Sequence, residues 1–247
     1  KGALVTTHKI DIFLSCVDQF DYLDEHAKIM GEISCISKDG NKLLGHAKDP
    51  ISSDLALKQI LPEDYWKEKG GEVLCLGAGG AAIAILYNLN RLKQNKNHPS
   101  TIFVTDISKS RLESIKQIYR KFDTNIPMEL HLCSESKSND NLTTNLKPHS
   151  LIINATGMGK DKPGSPFTYD VQYPQNSIIW ELNYRGELIF LDQAEAQRNK
   201  KNLTIHDGWV YFIHGWLEVI AEVFKLDIKN SGDYFENLSE IAWSIRK

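Results

Sequence analysis

The segment at residues 73–82 constrains the fold more than any other part of this sequence. An apolar run, Val73–Leu76, passes directly into a stretch with the spacing G-x-G-x-x-A, Gly77-Ala78-Gly79-Gly80-Ala81-Ala82. Between a strand and a helix, the first glycine permits a tight turn and the second lets the backbone approach a pyrophosphate. The helix N-terminus then offers free N–H groups to the phosphates. The pattern predicts a dinucleotide site, with a glycine-rich turn that binds nothing as the alternative.

Short apolar runs and longer helical patterns alternate from residue 71 onward, as they do in the repeated βα units of a parallel sheet. Helices are predicted over residues 81–92 and 108–122. The polar residues 134–145 predict a loop or a short helix, and the prolines within residues 160–176 predict a long surface connection. The predicted strands are residues 73–76, 102–105, 128–132, 151–154, 178–182 and 203–205.

The two ends of the chain have other patterns. A hairpin is predicted around Asp39-Gly40, which is a strong turn signal. Aromatic and apolar side chains are frequent in residues 209–224 and in a last helix. Helices this apolar need a partner surface, so we expect them to pack on the N-terminal segment. The predicted fold is α/β, a Rossmann-type doubly wound parallel sheet with a smaller, discontinuous α/β domain. The other predicted N-terminal elements are a strand at residues 3–6, helices at residues 10–17 and 23–30, and hairpin strands at residues 32–37 and 42–46.

Composition and charge narrow the class of protein. Lysines and arginines number 29 against 32 acidic residues, which gives a net charge of −3 and no basic surface for a nucleic acid or an anionic membrane. The four cysteines are far apart and form no Cys-x-x-Cys pair, so free thiols in a reducing compartment are expected, and no metal site is. No apolar run approaches the roughly 18 residues of a membrane span, and no signal peptide is recognisable. We therefore expect a cytoplasmic protein.

Asp106 bears on the choice of dinucleotide. It ends the second strand of the predicted sheet, where an acidic side chain accepts hydrogen bonds from the ribose hydroxyls of NAD and repels a 2′-phosphate. NAD is therefore the expected cofactor. NADP remains an alternative because Lys109 and Arg111 follow closely and could attract a phosphate. A second alternative is that Asp106 or Ser108 only caps the next helix.

Five sites in order along the chain carry a resemblance to a known family. They are Lys9, Asp49, residues 77–82, Ile153-Asn154-Ala155-Thr156 and Asp207-Gly208-Trp209. In this order and spacing the chain resembles the shikimate/quinate dehydrogenase family over nearly its whole length. The resemblance implies a substrate domain made of residues 1–65 and of helices at residues 210–247, with an NAD(P)-binding Rossmann domain at residues 66–209. It also implies a small-molecule substrate and a monomer or homodimer.

The resemblance assigns roles to individual residues. Lys9 and Asp49 would form a catalytic pair, in which the lysine exchanges a proton with the reacting hydroxyl group. The alternatives are a solvated lysine at a helix start and an acid that precedes a turn at Pro50. The expected substrate-binding residues are Thr6, Ser34, Tyr184 and His214, the last of which could instead be a core histidine. The expected cofactor-binding residues are Gly77, Ala78, Gly79, Gly80, Ala81, Asp106, Asn154, Ala155, Thr156, Gly157, Leu182 and Gly208.

The departures from the family pattern lie on the substrate side. Ser34 stands where the stretch G-A-V-N-T has asparagine, Ala47-Lys48 replaces asparagine and threonine, and Gly215 replaces glutamine. Nothing matches the family's first βα unit, so we expect either a segment upstream of Lys1 or a truncated relative with a more open site. The expected activity is that of an NAD(P)-dependent dehydrogenase acting on a CH–OH group of a small cyclic hydroxy or amino acid. A non-catalytic, cofactor-binding regulatory protein is the main alternative.

Overall fold

The structure is a computed structural model that describes residues 1–91 and 97–245. The strands are β1 Ala3–Leu4, β2 Tyr22–Leu23, β3 Cys35–Asp39, β4 Lys42–His46, β5 Val73–Leu76, β6 Ile102–Asp106, β7 Met128–Leu132, β8 Leu151–Asn154, β9 Ile178–Glu181 and β10 Thr204–His206. The helices are α1 Lys9–Cys16, α2 Glu25–Met30, α3 Asp49–Ile60, α4 Tyr65–Lys69, α5 Gly80–Arg91, α6 Lys109–Tyr119, α7 Ser136–Thr144, α8 Ile189–Glu195, α9 Arg198–Lys201, α10 Trp209–Phe224 and α11 Gly232–Ser244, with a 3₁₀ turn at Val17–Gln19.

The chain divides into two compact units. The first unit combines Lys1–Leu57 with the described residues from Val210 onward, and the second unit is Lys58–Trp209. The first boundary falls inside helix α3, which was not predicted from the sequence. Among residues 1–91 and 97–245, no helix is both long and apolar enough to cross a membrane.

The second unit is built on a six-stranded parallel sheet, which confirms the predicted α/β fold class. Its strand order is β10-β9-β8-β5-β6-β7. Val73 of the central strand β5 pairs with Ile102 of β6 on one side and with Leu151 of β8 on the other. The strand order reverses between these two neighbours. In such sheets ligands bind beyond the carboxyl ends of the strands at this reversal, where the glycine turn also lies.

The central strands were readily located because both of their faces are covered. Every residue of β5, β8 and β9 is buried, and parallel strands of this kind form continuous apolar runs. The predicted bounds of β5, β7 and β8 match the structure. The core around them joins the sheet to the loop at residues 160–176 and to helix α8, and its members include Leu74, Leu76, Ile152, Phe167, Tyr173, Ile179 and Phe190.

Helix α7 forms where the sequence pattern is weak, and contacts distant in the sequence account for it. Asp140 accepts hydrogen bonds from the backbone N–H and the hydroxyl of Thr168, at 3.0 and 2.5 Å. Asn139 donates to the backbone oxygen of Pro166 at 3.0 Å. These bonds tie the polar helix to the proline-rich connection. Leu92, the last residue of the predicted helix over residues 81–92, lies outside the described residues.

The first unit contains a four-stranded sheet of order β1-β3-β4-β2. Strands β3 and β4 form the hairpin predicted around Asp39-Gly40, and Gly40 takes a left-handed φ of 58° at the turn. Buried Cys35 of this sheet packs against Val219 and Val223 of helix α10. The C-terminal helix α10 therefore shares a core with the N-terminal sheet. All four cysteines are free thiols.

We predict that Gly208→Ala destabilises the protein by about 1–3 kcal/mol, the usual range for a steric insertion into a packed site. A Cβ atom at this position would lie 2.1 Å from the backbone oxygen of Leu182, which cannot move without disturbing strand β9. Urea unfolding measures the effect. The matched control is Gly79→Ser, because a Cβ atom there meets nothing within 4 Å and serine is a favoured residue before a helix. Equal stability of the two variants would contradict the prediction.

Candidate functional site

The first unit joins two charged residues that are 40 positions apart in the sequence. Lys9 is the first residue of α1 and Asp49 the first residue of α3, and Nζ of Lys9 donates a hydrogen bond to Oδ2 of Asp49. Their side chains are only 17% and 11% exposed. Burial lowers the pKa of Lys9, but the negative charges of Asp49 and Glu32 together raise it by more. The pKa of Lys9 therefore lies above its ordinary value. Lys9 is thus a buried ammonium ion at neutral pH.

Glu32 is a third ionisable member of this group, and its role was not predicted from the sequence. It is fully buried, and neither carboxyl oxygen has a hydrogen-bond partner in the described part of the chain. Burial raises its pKa to about 8, the negative charge of Asp49 raises it as well, and Lys9 opposes both effects. Its only sequence signal is an acidic residue inside a predicted apolar strand, at the alanine of the family stretch G-A-V-N-T.

Tyr211 completes the group from helix α10. Its hydroxyl makes hydrogen bonds with Ser52 and with the Asp49 carboxylate, and burial together with the charges of Asp49 and Glu32 raises its pKa well above the ordinary value. From the sequence, Tyr211 was interpreted only as part of an aromatic packing surface. We call Lys9, Asp49, Glu32 and Tyr211 the Lys9 cluster.

The expected substrate-binding residues have different surroundings. Ser34 is buried, and its hydroxyl oxygen accepts the backbone N–H of Lys48 at 2.6 Å, whereas Thr6 is exposed. His214 is fully buried, stacks on Phe235 with 3.9 Å between ring centroids, and bonds to Asn230 at 2.8 Å. Burial lowers the pKa of His214. This environment supports the alternative interpretation of His214 as a core histidine.

Tyr184, the fourth of the expected substrate-binding residues, belongs to the second unit. Its ring packs edge-on against Trp209, with 6.2 Å between the ring centroids. The ammonium nitrogen of Lys160 lies 6.0 Å from the Tyr184 ring centroid and the guanidinium carbon of Arg185 lies 5.9 Å from it. Tyr184 is therefore an aromatic side chain flanked by two cations at the carboxyl end of β9.

A second charged group, the Glu222 cluster, surrounds the residue that precedes Asp49. Nζ of Lys48 donates to Oε2 of Glu222 at 3.0 Å, and Nζ of Lys225 donates to Oε1 at 2.8 Å. Nε2 of the buried His46 lies 3.4 Å from Oε1 of Glu222, and the Ser37 hydroxyl donates a hydrogen bond to the same Oε1 at 3.3 Å. Lys48, which replaces the family's threonine, is thus engaged by Glu222.

The glycine turn of the second unit has the geometry that a phosphate needs. Gly77 adopts a φ of 101°, and a Cβ atom there would lie 2.7 Å from the backbone oxygen of Ala155. At Gly79 a Cβ atom would meet nothing within 4 Å, so this side of the turn is open. Helix α5 begins at Gly80, so its unpaired N–H groups face the turn.

Asp106 fixes this turn from the neighbouring strand. Its Oδ2 accepts the backbone N–H of Ala78 at 2.8 Å, and its Oδ1 accepts the N–H of Ser108 at 2.8 Å. Ser108 is the N-cap of α6 and accepts the N–H of Arg111. Asp106 thus has a structural role in addition to the expected binding of ribose hydroxyls. The two roles are compatible, because each carboxylate oxygen retains a lone pair for a further donor.

The loop after β8 is held by a buried polar network. Nδ2 of Asn154 donates to Oε2 of Glu181 at 2.6 Å, and Oδ1 of Asn154 accepts the hydroxyl of Thr156 at 2.7 Å. Burial raises the pKa of Glu181 to about 7, against the effect of its hydrogen bonds. Asn154 is fully buried and therefore shapes the loop, which ends in a glycine with a left-handed φ of 75°, Gly157. Leu182, Asn183 and Gly208 pack at the adjacent strand end.

These parts define the chemistry available. The first unit offers a buried ammonium ion held by a carboxylate, which can donate a proton to a developing oxyanion and recover it. The second unit offers an open helix N-terminus at the carboxyl edge of a parallel sheet, which suits a phosphate group. Within residues 1–91 and 97–245, no group of His, Cys, Asp or Glu side chains is arranged to hold a metal ion.

The chain is similar to several known dehydrogenases. No model of a known protein family matches the chain. The shikimate dehydrogenase (NADP(+)) of Caldicellulosiruptor saccharolyticus is 27% identical over 232 residues, which cover 92% of this chain and 72% of that protein. The structure of shikimate dehydrogenase from Aquifex aeolicus superposes with a TM-score of 0.69 at 22% identity, covering 100% of this chain and 77% of the other. Quinate dehydrogenase from Corynebacterium glutamicum in complex with NAD gives a TM-score of 0.72 at 19% identity, with 99% and 78% coverage.

We predict that Glu222→Gln lowers the free energy of unfolding by about 1–2 kcal/mol at neutral pH, as expected for a partly buried ion pair. Burial raises the pKa of Glu222, but its bonds to Lys225 and Lys48 outweigh burial and lower the pKa from 4.5 to about 2. The stabilisation is therefore complete above pH 4.5 and disappears as the pH falls towards 2. Urea unfolding across this range, with the exposed Glu240→Gln as control, measures it. A difference between Glu222→Gln and wild type that stays constant with pH would contradict the prediction.

Proposed function

We propose that this chain, whose resemblance to the shikimate/quinate dehydrogenases is confirmed by its relatives, is a nicotinamide-dependent oxidoreductase. The reaction is hydride transfer between the nicotinamide and a secondary alcohol or ketone of a small cyclic hydroxy or amino acid. The observation that carries the proposal is the Lys9–Asp49 ion pair, which unites two residues that the resemblance assigns to catalysis. The glycine turn supports the cofactor part of the proposal.

The proposed mechanism rests on the charge state of Lys9. A nicotinamide cofactor, held by its pyrophosphate at Gly79 and the N-terminus of α5, would supply or accept the hydride. In the direction of reduction, the Lys9 ammonium donates a hydrogen bond to the substrate carbonyl oxygen and gives up a proton as this oxygen becomes an alcohol. In oxidation the neutral amine takes the proton back. Asp49 holds the nitrogen in place and stabilises the ammonium form throughout.

The cofactor we propose is NAD. The open side of Gly79 and the N–H groups of α5 fit a pyrophosphate, and the Asp106 carboxylate lies beside the turn with lone pairs available to ribose hydroxyls. A 2′-phosphate at the same place would face a like charge. The name of the Caldicellulosiruptor relative specifies NADP(+), whereas the Corynebacterium structure contains NAD. Lys109 and Arg111, both exposed, are the groups that could favour a phosphate instead.

The substrate should differ from shikimate in its hydroxyl pattern. Ser34 replaces a longer amide side chain, and its hydroxyl oxygen already accepts the N–H of Lys48. Lys48 itself is bound to Glu222, and Ala47 has no polar side-chain atoms. Partners for some hydroxyl groups are therefore absent from these positions, while the proton-donating pair is retained.

The same substitutions favour a second candidate function. A regulatory protein that binds the dinucleotide and has lost its substrate would retain the glycine turn and tolerate changes at Ser34 and Ala47. The retained Lys9–Asp49 pair argues against it, because a buried ion pair is hard to maintain and of little value to a sensor. Fluorescence of bound NADH distinguishes the two: an enzyme oxidises it when offered cyclic keto acids, and a sensor does not.

We predict that Lys9→Ala and Asp49→Asn each reduce turnover at least about 100-fold, the lower range for the loss of a general acid or its support. Affinity for NADH should change by less than about threefold, because neither residue belongs to the second unit. Steady-state kinetics and calorimetric NADH titrations measure the two effects separately.

A matched control for these variants is Asp11→Asn, an exposed acid in the first turn of α1. It changes a charge close to Lys9 in sequence and should retain wild-type turnover. Wild-type turnover in both Lys9→Ala and Asp49→Asn would remove the proposed mechanism.

We predict that wild type binds NADH at least about tenfold more tightly than NADPH, because the Asp106 carboxylate would repel the 2′-phosphate of NADPH. A tenfold difference corresponds to roughly 1.4 kcal/mol. Asp106→Asn keeps a carbonyl acceptor for one backbone N–H but removes the negative charge. The ratio of NADH affinity to NADPH affinity should therefore be smaller in this variant than in wild type. Gly79→Val should abolish the binding of both cofactors by filling the open side of the turn. Tighter binding of NADPH to wild type, measured by calorimetry, would refute the assignment of NAD.

A further inference from the structure

Glu32 is the group in this chain whose position is hardest to explain by packing. A carboxyl group is almost never fully buried without a partner, because transfer of a charged group out of water is strongly unfavourable. Glu32 has no exposed surface and no hydrogen bond to either oxygen in the described residues. The family stretch that it resembles has alanine at this position, so a small residue can fill the site.

The backbone of the segment around Glu32 is fixed next to the catalytic pair. The N–H of Ile33 donates to the backbone oxygen of Lys9 at 3.1 Å. Ser34 bonds to the residues that precede Asp49. Its N–H donates to the backbone oxygen of His46 at 2.9 Å, and its hydroxyl oxygen accepts the N–H of Lys48 at 2.6 Å. Glu32 is therefore held between the strand-to-helix segments that carry Lys9 and Asp49.

Among the described residues, four ionisable groups on other elements interact electrostatically with Glu32. Lys9 of α1 attracts its negative charge, and Asp49 of α3 and Asp24 before α2 repel it. Tyr211 of α10 is the fourth. Asp24 is engaged elsewhere, since its Oδ1 accepts the N–H groups of Ala27 and Ala47 at 2.7 and 3.2 Å.

Because both carboxyl oxygens of Glu32 are buried, Glu32 acts on the reaction through the charged groups around it and not by contact with a substrate. We propose that Glu32 is a positioning residue that holds Lys9 in its proton-donating form and thereby extends carbonyl reduction to higher pH at the expense of alcohol oxidation. This role rests on the proposed dehydrogenase function.

The sign of the effect follows from the two pKa values. The pKa of Glu32 is raised to about 8, so this carboxyl is neutral below that pH and negative above it. Lys9, whose pKa lies above its ordinary 10.5, loses its proton only where Glu32 is already negative. Removal of the Glu32 charge therefore lowers the pKa of Lys9, while Asp49 keeps the ion pair.

The test is the isosteric variant Glu32→Gln, with Glu32→Ala as a second variant of smaller volume. In protein labelled with 13C at lysine Cε, the Lys9 signal is assigned by its absence in Lys9→Met and followed through a pH titration. We expect Lys9 to titrate about one pH unit lower in both variants, within the usual range for a neighbouring charge. The exposed Glu236→Gln should leave the titration unchanged.

Kinetics provide the second measurement. In Glu32→Gln, the pH above which the rate of carbonyl reduction declines should be lower by about one unit, as for the Lys9 titration. The pH optimum of alcohol oxidation should be lower by a similar amount. An unchanged Lys9 titration in Glu32→Gln and Glu32→Ala overturns the positioning role. A shifted titration in a protein that turns over no cyclic keto acid supports the electrostatic role of Glu32 and refutes the dehydrogenase function, so the two failures are distinguishable.

A thermal measurement separates this role from simple packing. Since the pKa of Glu32 is raised from 4.5 to about 8, the protonated carboxyl favours the folded state, and this advantage disappears as the pH rises through that interval. We expect the wild-type Tm to fall over this range relative to Glu32→Gln. A variant that is less stable than wild type by the same amount at every pH would indicate a packing role alone and contradict the proposal.

Discussion

The buried ammonium of Lys9 is the interaction on which the first unit depends. It compensates the charge of Asp49, and its positive charge lowers the pKa of Glu32, against the effect of burial. Buried carboxylates are tolerated only where a partner offsets the loss of hydration. The Lys9 cluster therefore links α1, the segment before β3, α3 and α10, four parts of the chain that are far apart in sequence.

The second unit follows a different constraint, the close approach of backbone at the ends of parallel strands. Gly77 and Gly208 both lie where a Cβ atom would collide with a neighbouring carbonyl, and Gly79 lies where it would not. The first two glycines are accounted for by packing alone. Gly79 is not, and a phosphate against its open side gives a reason for glycine there. Gly77 and Gly208 are thus structural glycines, whereas the open space at Gly79 is where we propose that a phosphate binds.

Much of the fold could be predicted from the sequence because its signals are local. Buried parallel strands form continuous apolar runs, and Asp39-Gly40 marks a hairpin. Helix α3 was missed because Asp49-Pro50 was considered as a possible turn, whereas proline is favoured in the first turn of a helix. The predicted strand at residues 32–37 begins only at Cys35, since the backbone N–H groups of Ile33 and Ser34 bond to Lys9 and His46.

The candidate site was predicted in part. The Lys9–Asp49 pair depended on order and spacing along the chain, and the structure joins the two residues. Glu32 and Tyr211 left no comparable signal, because burial and long-range charge cannot be deduced from local periodicity. The resemblance assigns His214 to substrate binding or to the core, and its stacking on Phe235 gives it a packing role.

Isotope transfer tests the proposed dehydrogenase function directly. The protein is incubated with NADH deuterated at the reactive nicotinamide carbon and with a panel of cyclic keto acids, and the products are examined by mass spectrometry and NMR. We expect deuterium on the carbon of a newly formed secondary alcohol with wild type, and no deuterated product with Lys9→Ala over the same incubation time. Binding of NADH without deuterium in any product would contradict the dehydrogenase function and favour a sensor.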